Sequence, residues 1–191
     1  MRATTHGLST WTVDPTHVEV GFSVRHFMIS TTRGRFGTVT GTVLFDEEHP
    51  ANSRIDVIVD VSSVDTRNTQ RDDHLRSPDF FDVANYPTMH FLSKNIQGDV
   101  KRGEFRVVGD LTIRGVTKEV ILDVTGDGSV IKDPWGGERT GFSARGKINR
   151  SDFGLTWNVA LEAGGVAVSD DVRIEIDVEL VKQADVAAGA A

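Results

Sequence analysis

The chain has 191 residues, of which 38% are hydrophobic and 26% charged, a composition that suits one globular domain with a sizeable core. The formal net charge of −7 argues against general nucleic-acid binding, because that function needs a basic surface to neutralise phosphates. No cysteine is present, so disulfides, thiolate metal sites and cysteine nucleophiles are excluded.

The sequence shows no sign of export or of membrane insertion. Its N-terminal stretch, MRATTHGLSTW, lacks the apolar core of a secretory signal. No stretch approaches the ~18 apolar residues that a membrane-spanning helix needs. We therefore expect a cytoplasmic protein with no membrane span and no nucleic-acid partner.

Alternating apolar and polar residues predict β-strands along most of the chain, and no βαβ rhythm or internal repeat occurs. Residues 8–181 are therefore expected to form one antiparallel domain between flexible ends at residues 1–7 and 182–191. In chain order, the predicted strands cover residues 8–14, 17–27, 35–46, 54–62, 89–97, 104–114, 117–125, 140–149 and 171–181.

One segment, residues 63–93, interrupts this alternation with a run of charged residues followed by an aromatic cluster. Asp65 or Thr66 can cap a short helix, which is predicted over residues 66–76 and ended by Ser77-Pro78. A charged helix leading into aromatic residues is typical of a lid at the end of a β-barrel.

About eight or nine long antiparallel strands fit either a β-sandwich or a closed barrel. Glycines inside strands, such as Gly41 and Gly109, permit the bends that a closed barrel needs. We therefore predict an all-β fold, an elongated eight-stranded antiparallel barrel with one short helix.

The residues that would point into this barrel are aliphatic and aromatic. Periodicity alone cannot distinguish a filled core from a hollow one, so both remain open at this point. A hollow interior would bind a long hydrophobic ligand through burial of apolar surface, at roughly 25 cal/mol per Å². The candidate tunnel-lining residues are Phe22, Val24, Phe36, Val59, Phe81, Met89, Phe91, Leu111, Leu122, Phe142, Ile148 and Phe153.

The charged helix offers a second candidate site. Arg71 and His74, three residues apart on one helix face, could hold a polar head such as a phosphate or a quinone carbonyl. The alternative is structural, with Asp72 or Asp73 pairing with a nearby arginine to fix the helix to the barrel rim. The candidate arginine partners are Arg71, Arg76 and Arg150, of which the last lies in a predicted strand-to-loop anchor, Arg150–Gly154.

Enzymatic signals are weak. Asp72 and His74 could act as an acid/base pair on a small hydrophobic substrate, and this is the alternative function. No P-loop, nucleophile elbow or metal-ligand spacing among the histidines occurs, so neither a metal nor a cofactor is expected.

Five segments resemble a known family. The segment T-x4-RD-x-HL-x-S-x-DFFD-x3-YP-x-M-x-F-x-S at residues 66–93 is similar to the signature segment of the YceI-like family of polyisoprenoid-binding proteins. Four further segments agree in order and spacing, and Val18 stands where the family often has serine. They are WTVDPTH at 11–17, GDLTIRGVT at 109–117, NRSDFGL at 149–155 and the closing strand at 172–181.

This resemblance implies an elongated lipocalin-like barrel whose hollow interior holds an isoprenoid chain. The function that it implies is binding, sequestration or transport of a long-chain isoprenoid lipid, of the polyprenyl phosphate or quinone type, without a cofactor and without turnover. Family members pair, so the resemblance also predicts a homodimer.

Overall fold

A computed structural model describes residues 7–46, 48–126, 128–161 and 165–184. The helix α1 spans Thr69–Arg76. The strands are β1 (Leu8–His26), β2 (Ser30–Phe36), β3 (Val39–Asp46), β4 (Arg54–Asp60), β5 (Val64–Asp65), β6 (Thr88–Asp99), β7 (Glu104–Ile113), β8 (Val116–Thr125), β9 (Ile131–Lys132), β10 (Glu138–Asn149) and β11 (Val168–Lys182).

Eight of these strands close into an antiparallel barrel, in the order β1-β3-β4-β6-β7-β8-β10-β11. Closure is made by β11, which pairs with β1 from Trp11 opposite Lys182 to His26 opposite Val168. Strands β2 and β5 extend the sheet beside the second half of β1. The predicted all-β, eight-stranded, lipocalin-like barrel is confirmed.

The first strand differs from the sequence-based prediction, which divided it at Pro15. The structure has one continuous strand, with a register shift between Val13 and Val18 on its β11 side. Proline has no N–H to donate to the ladder, so the chain bulges at this point instead of ending the strand. The predicted connection at residues 28–34 is mostly β2, whose sequence STTRGRF lacks the alternation that marks a strand.

The barrel has two unlike ends. At one end, here called the helix end, lie α1 and a 3₁₀ turn at Arg150–Phe153. At the other, the loop end, lie the connections at residues 48–53, 100–103 and 128–137. Strand β10 runs from the loop end to the helix end.

The helix begins later than the sequence predicted. Asn68, not Asp65 or Thr66, caps it, because the Asn68 side-chain oxygen accepts the N–H of Arg71 at 3.0 Å. Asparagine at this position satisfies an otherwise unbonded amide of the first turn. The helix ends at Arg76 with Ser77 as its C-cap, so its end agrees with the predicted stop at Ser77-Pro78.

Two inward-facing glycines make room for aromatic rings. A Cβ atom at Gly109 would lie 2.5 Å from Cζ of Phe91, and one at Gly34 would clash with Cζ of Phe22. Each ring therefore lies directly against the backbone of a neighbouring strand. The glycines allow bulky side chains to turn along the barrel wall.

A charged cluster ties β1 to β10 and β11 at the loop end. The buried carboxylate of Asp14 accepts hydrogen bonds from Arg139, Thr16 and His17. These contacts, with Arg139 the strongest, hold the pKa of Asp14 well below its usual range. The hydrogen bond to Asp14, followed by the charge of Glu179, raises the pKa of His17.

This cluster predicts a pH-dependent contribution to stability. Because the pKa of Asp14 is lowered on folding, its stabilisation is complete above the unfolded value of about 3.9 and is lost as the pH falls towards the folded value. We expect Asp14→Asn to lower the urea midpoint clearly at pH 7, and the difference from the wild type to shrink at pH 3. The control is Asp123→Asn. Asp123 and its partner Arg106 are both exposed, so this substitution should change the urea midpoint little at either pH. An equal loss for Asp14→Asn at both pH values would contradict this account.

Candidate ligand-binding site

The barrel encloses an elongated apolar cavity of about 780 Å³. This volume lies within the ~300–1,000 Å³ that is usual for small-molecule sites. Thr140 and Ile148 both line it and lie eight residues apart on β10. At ~3.3 Å per residue, the cavity extends roughly 26 Å along that strand.

Every residue predicted to line a tunnel lies on the wall of this cavity. These residues are Phe22, Val24, Phe36, Val59, Phe81, Met89, Phe91, Leu111, Leu122, Phe142, Ile148 and Phe153. The interior is therefore hollow. The alternative of a filled core, which the periodicity of the sequence left open, is wrong. That these residues contact a ligand stays a prediction.

Sequence reasoning missed a larger number of lining residues, most of which carry the same period-two signal. The inward face of β11 is the clearest case, with alternate residues from Val172 to Leu180 on the wall. Others follow the same rule on β1, β4, β7 and β10. They include Val18, Val20, Ile55, Val57, Phe105, Val107 and Ala144.

Aromatic side chains pack against one another at the helix end. Phe36 contacts Phe22 and Phe81, with ring centroids 5.5 and 5.7 Å apart respectively. Phe80 lies 5.3 Å from Trp157, and Phe153 is 2% exposed beneath them. The aromatic run after α1 therefore packs at the helix end, where Phe80 and Phe81 line the cavity, and its role as a lid stays a prediction.

Arg150 holds the segment that passes over this end. Its guanidinium donates to the carbonyl oxygens of Leu155 (2.7 Å), Trp157 (2.9 Å) and Ser169 (3.0 Å). It also pairs with Asp170 at 3.0 Å. Burial lowers the pKa of Arg150, and Asp170 opposes that shift. These contacts agree with the predicted strand-to-loop anchor, although Arg150 bonds to backbone carbonyls and to Asp170 and not to helix α1.

The predicted head-group residue Arg71 is occupied by contacts within the protein. Its Nε and Nη2 donate to the hydroxyl and the carbonyl of Thr66, at 2.7 and 2.8 Å. Asp72, which is buried, accepts the N–H and hydroxyl of the same threonine. Of the expected ion pairs only Arg76 with Asp73 forms, at 3.1 Å.

The His74 ring packs edge-on against two aromatic rings, with its centroid 5.0 Å from that of Phe80 and 4.7 Å from that of Trp157. Its Nε2 lies 2.9 Å from an Asp79 carboxylate oxygen. Asp72 therefore bonds to Thr66 and His74 to Asp79, and the two do not form the acid/base pair of the enzyme alternative. Neither Arg71 nor His74 lies on the described wall of the cavity, so a role in head-group binding stays a prediction.

The loop end carries the more polar part of the wall. Lys101 and Glu48, both exposed, border the cavity beside the apolar Val130. Thr140 lies just inside, buried to 8% exposure. The mouth thus places exposed charges at its rim and a hydroxyl within.

One group of side chains has the spacing of metal ligands within the part of the chain that the structure describes. The ligand atoms of Asp14, His17 and Glu179 lie within 4.8 Å of one another. Arg139 already donates to both carboxylates, so their charge is compensated by the protein. None of the three residues lines the cavity.

A closed antiparallel barrel around an elongated apolar cavity is a lipocalin-like fold. No helix in the described ranges is long and apolar enough to cross a membrane. The chain belongs to the YceI-like domain family, whose sequence profile matches residues 11–180.

Known proteins agree with this assignment. Protein YceI of Escherichia coli O6:H1 is 41% identical over 169 residues, covering 87% of this chain and 83% of that protein. The crystal structure of Burkholderia cenocepacia BcnA has a TM-score of 0.71 at 26% identity, covering 87% of this chain and 98% of that one. A polyisoprenoid-binding domain from Saccharophagus degradans has a TM-score of 0.59 at 16% identity, covering 91% and 98%, and this likeness supports the fold alone.

Proposed function

We propose that this protein binds a long-chain isoprenoid lipid in its barrel and thereby sequesters or carries it. The observation that carries the proposal is the elongated apolar cavity of about 780 Å³. The Saccharophagus degradans domain that shares the fold is described as a polyisoprenoid-binding domain, and the proposal extends that ligand class to this chain.

Apolar burial accounts for affinity without a specific polar contact. Each buried CH₂ group contributes about 0.8 kcal/mol, so one five-carbon isoprene unit contributes roughly 4 kcal/mol before the cost of ordering the chain. Several isoprene units packed against the cavity wall are therefore enough for tight binding. A branched, flexible tail also suits a wall of mixed aliphatic and aromatic side chains.

We infer a non-enzymatic role. Asp72 and His74 are each committed to another residue, and both lie away from the cavity wall. We keep the cytoplasmic location and the homodimer as predictions, the second of which is testable by light scattering.

The direct test is extraction. Protein purified without detergent should release an isoprenoid into organic solvent at close to one mole per mole, as measured by mass spectrometry. The delipidated protein should then take up added solanesol to the same ratio. Protein that is free of lipid and takes up no prenyl compound would contradict the proposal.

A further inference from the structure

A group of exposed apolar side chains lies at the helix end, on the turn between β1 and β2 and on the segment beside this turn. The N–H of Phe27 donates to the carbonyl oxygen of Ala167 at 2.8 Å, and the N–H of Ala167 donates to that of Val159 at 2.9 Å. These bonds hold the two segments side by side. Ile29, in the turn, is 81% exposed. The group, here called the apolar tip, consists of Phe27, Met28, Ile29, Val159 and Val166.

The backbone of the turn is unfavourable for the residues that it carries. Phe27 has a φ of 49° and Met28 a φ of 59°, in the left-handed region that glycine and asparagine adopt readily and bulky side chains rarely do. Arg25 stabilises the turn by donating to the carbonyl oxygen of Met28 at 2.7 Å. Folding alone therefore does not favour Phe27 and Met28 at these positions, whereas contact with an apolar medium does.

Exposed arginines lie on the outer face of the barrel next to the apolar tip. Arg173 of β11 and Arg33 of β2 both lie opposite Ser23 of β1, one on each side of it. Neighbouring strands are ~4.8 Å apart, so the backbones of the two arginines are about 10 Å apart. Arg25 lies on the same face, two residues nearer the tip. Arg25, Arg33 and Arg173, here called the arginine row, form no ion pair within the described part of the chain.

The acidic residues closest to the arginine row along β11 are compensated by other cations. Asp171 pairs with Lys147 at 2.6 Å, and Asp170 pairs with Arg150 at 3.0 Å. Glu175, on the same face as the row, lies two residues further from the tip. The outer surface beside the tip is therefore locally cationic, although the chain as a whole has a net charge of −7.

We propose that the apolar tip and the arginine row dock the helix end of this protein onto a bilayer surface that contains anionic lipids. The tip enters the interfacial region of the bilayer, and the arginines lie at the level of the lipid phosphates. The negative charge of the remaining surface disfavours other orientations. This inference goes beyond the proposed function, because it concerns an outer surface and holds whichever ligand the cavity binds.

A second copy of this chain is a less suitable occupant of the surface. In a two-fold dimer the same patch meets itself, which brings the two arginine rows close together. Juxtaposed like charges are unfavourable at an interface. A bilayer with anionic lipids offers negative charge to the arginine row and an apolar interior to the tip, so it matches both parts.

The test is co-sedimentation of the full chain with vesicles of phosphatidylcholine and phosphatidylglycerol. We expect the wild type to bind these vesicles, and to bind more weakly at high salt or to phosphatidylcholine alone. Ile29→Ser should weaken binding roughly tenfold, because it removes an apolar side chain that the bilayer would bury. Arg33→Gln combined with Arg173→Gln should weaken binding roughly twentyfold.

Matched substitutions at the loop end are the controls. Ile131→Ser replaces an isoleucine that is 64% exposed on another hairpin. Arg102→Gln combined with Lys132→Gln removes two exposed positive charges, as the helix-end pair does. These variants should bind vesicles as the wild type does. A loss equal to that of the helix-end variants, or a wild type that binds no anionic vesicles, would overturn the proposal.

Two measurements without vesicles separate docking from folding and from self-association. Met28→Gly should keep or raise the melting temperature, because glycine adopts a positive φ readily, and should still weaken vesicle binding. A clear fall in melting temperature would show that the fold requires Met28 and would contradict the argument from its backbone. Light scattering should give the same oligomeric state for the wild type and Ile29→Ser. A change from dimer to monomer would identify the surface as an interface between copies, against the proposal.

Discussion

Ala144→Trp should abolish most binding of prenyl lipid while leaving the barrel folded. Ala144 lies on the cavity wall midway along β10, opposite Val124 of β8 and Ile176 of β11. An indole at this position occupies the space of at least one isoprene unit. Because each displaced CH₂ forfeits about 0.8 kcal/mol, loss of one unit weakens binding by roughly two to three orders of magnitude.

The control for this variant is Arg145→Trp. Arg145 is the next residue of the same strand, and it is exposed on the outer face. It should bind lipid as the wild type does. A graded series, Ala144→Leu, Ala144→Phe and Ala144→Trp, covers the case in which the largest side chain disturbs folding, and titration should show affinity falling with volume. Wild-type affinity in a folded Ala144→Trp protein would show that the lipid does not occupy the cavity.

Arg150→Met should cause a large loss of stability. Methionine fills similar space but donates no hydrogen bond, so the carbonyl oxygens of Leu155, Trp157 and Ser169 lose their charged donor. Breaking a buried charged network of this kind costs roughly 3–5 kcal/mol in the free energy of unfolding. The measurement is urea unfolding at neutral pH.

Two further results distinguish this explanation from a general loss of stability. Hydrogen exchange should accelerate first in residues 155–158 and 165–169, which Arg150 joins. Arg145→Met, on the outer face of the same strand, should change the free energy of unfolding by less than about 0.5 kcal/mol. A loss below roughly 1 kcal/mol for Arg150→Met would show that water replaces its contacts readily.

Period-two alternation predicted most of the barrel, because one face of each strand is buried and the other is exposed. It placed Phe142 and Ile148 on the same inward face as the structure does. The alternation failed to predict two features of the sheet. β2 has no apolar alternation, and Pro15 interrupts a ladder that the flanking residues continue.

The cavity itself could not be predicted from periodicity, because inward-facing apolar residues fill a small barrel or surround a space with the same sequence pattern. The family resemblance implied the hollow interior, and the structure confirms it.

The sequence of helix α1 did not predict the partners of its polar side chains. Arg71, Asp72 and His74 are close in sequence, which suggested a shared site. Their partners are Thr66 and Asp79, and the choice among such neighbours depends on side-chain geometry that spacing does not determine.

The most direct test of the account is a crystal structure of the delipidated protein saturated with solanesol. We predict continuous, elongated electron density inside the barrel, from the mouth near Thr140 to the aromatic rings at Phe36 and Phe81. Density for the lipid on the outer face alone, or side chains that close the cavity, would contradict it.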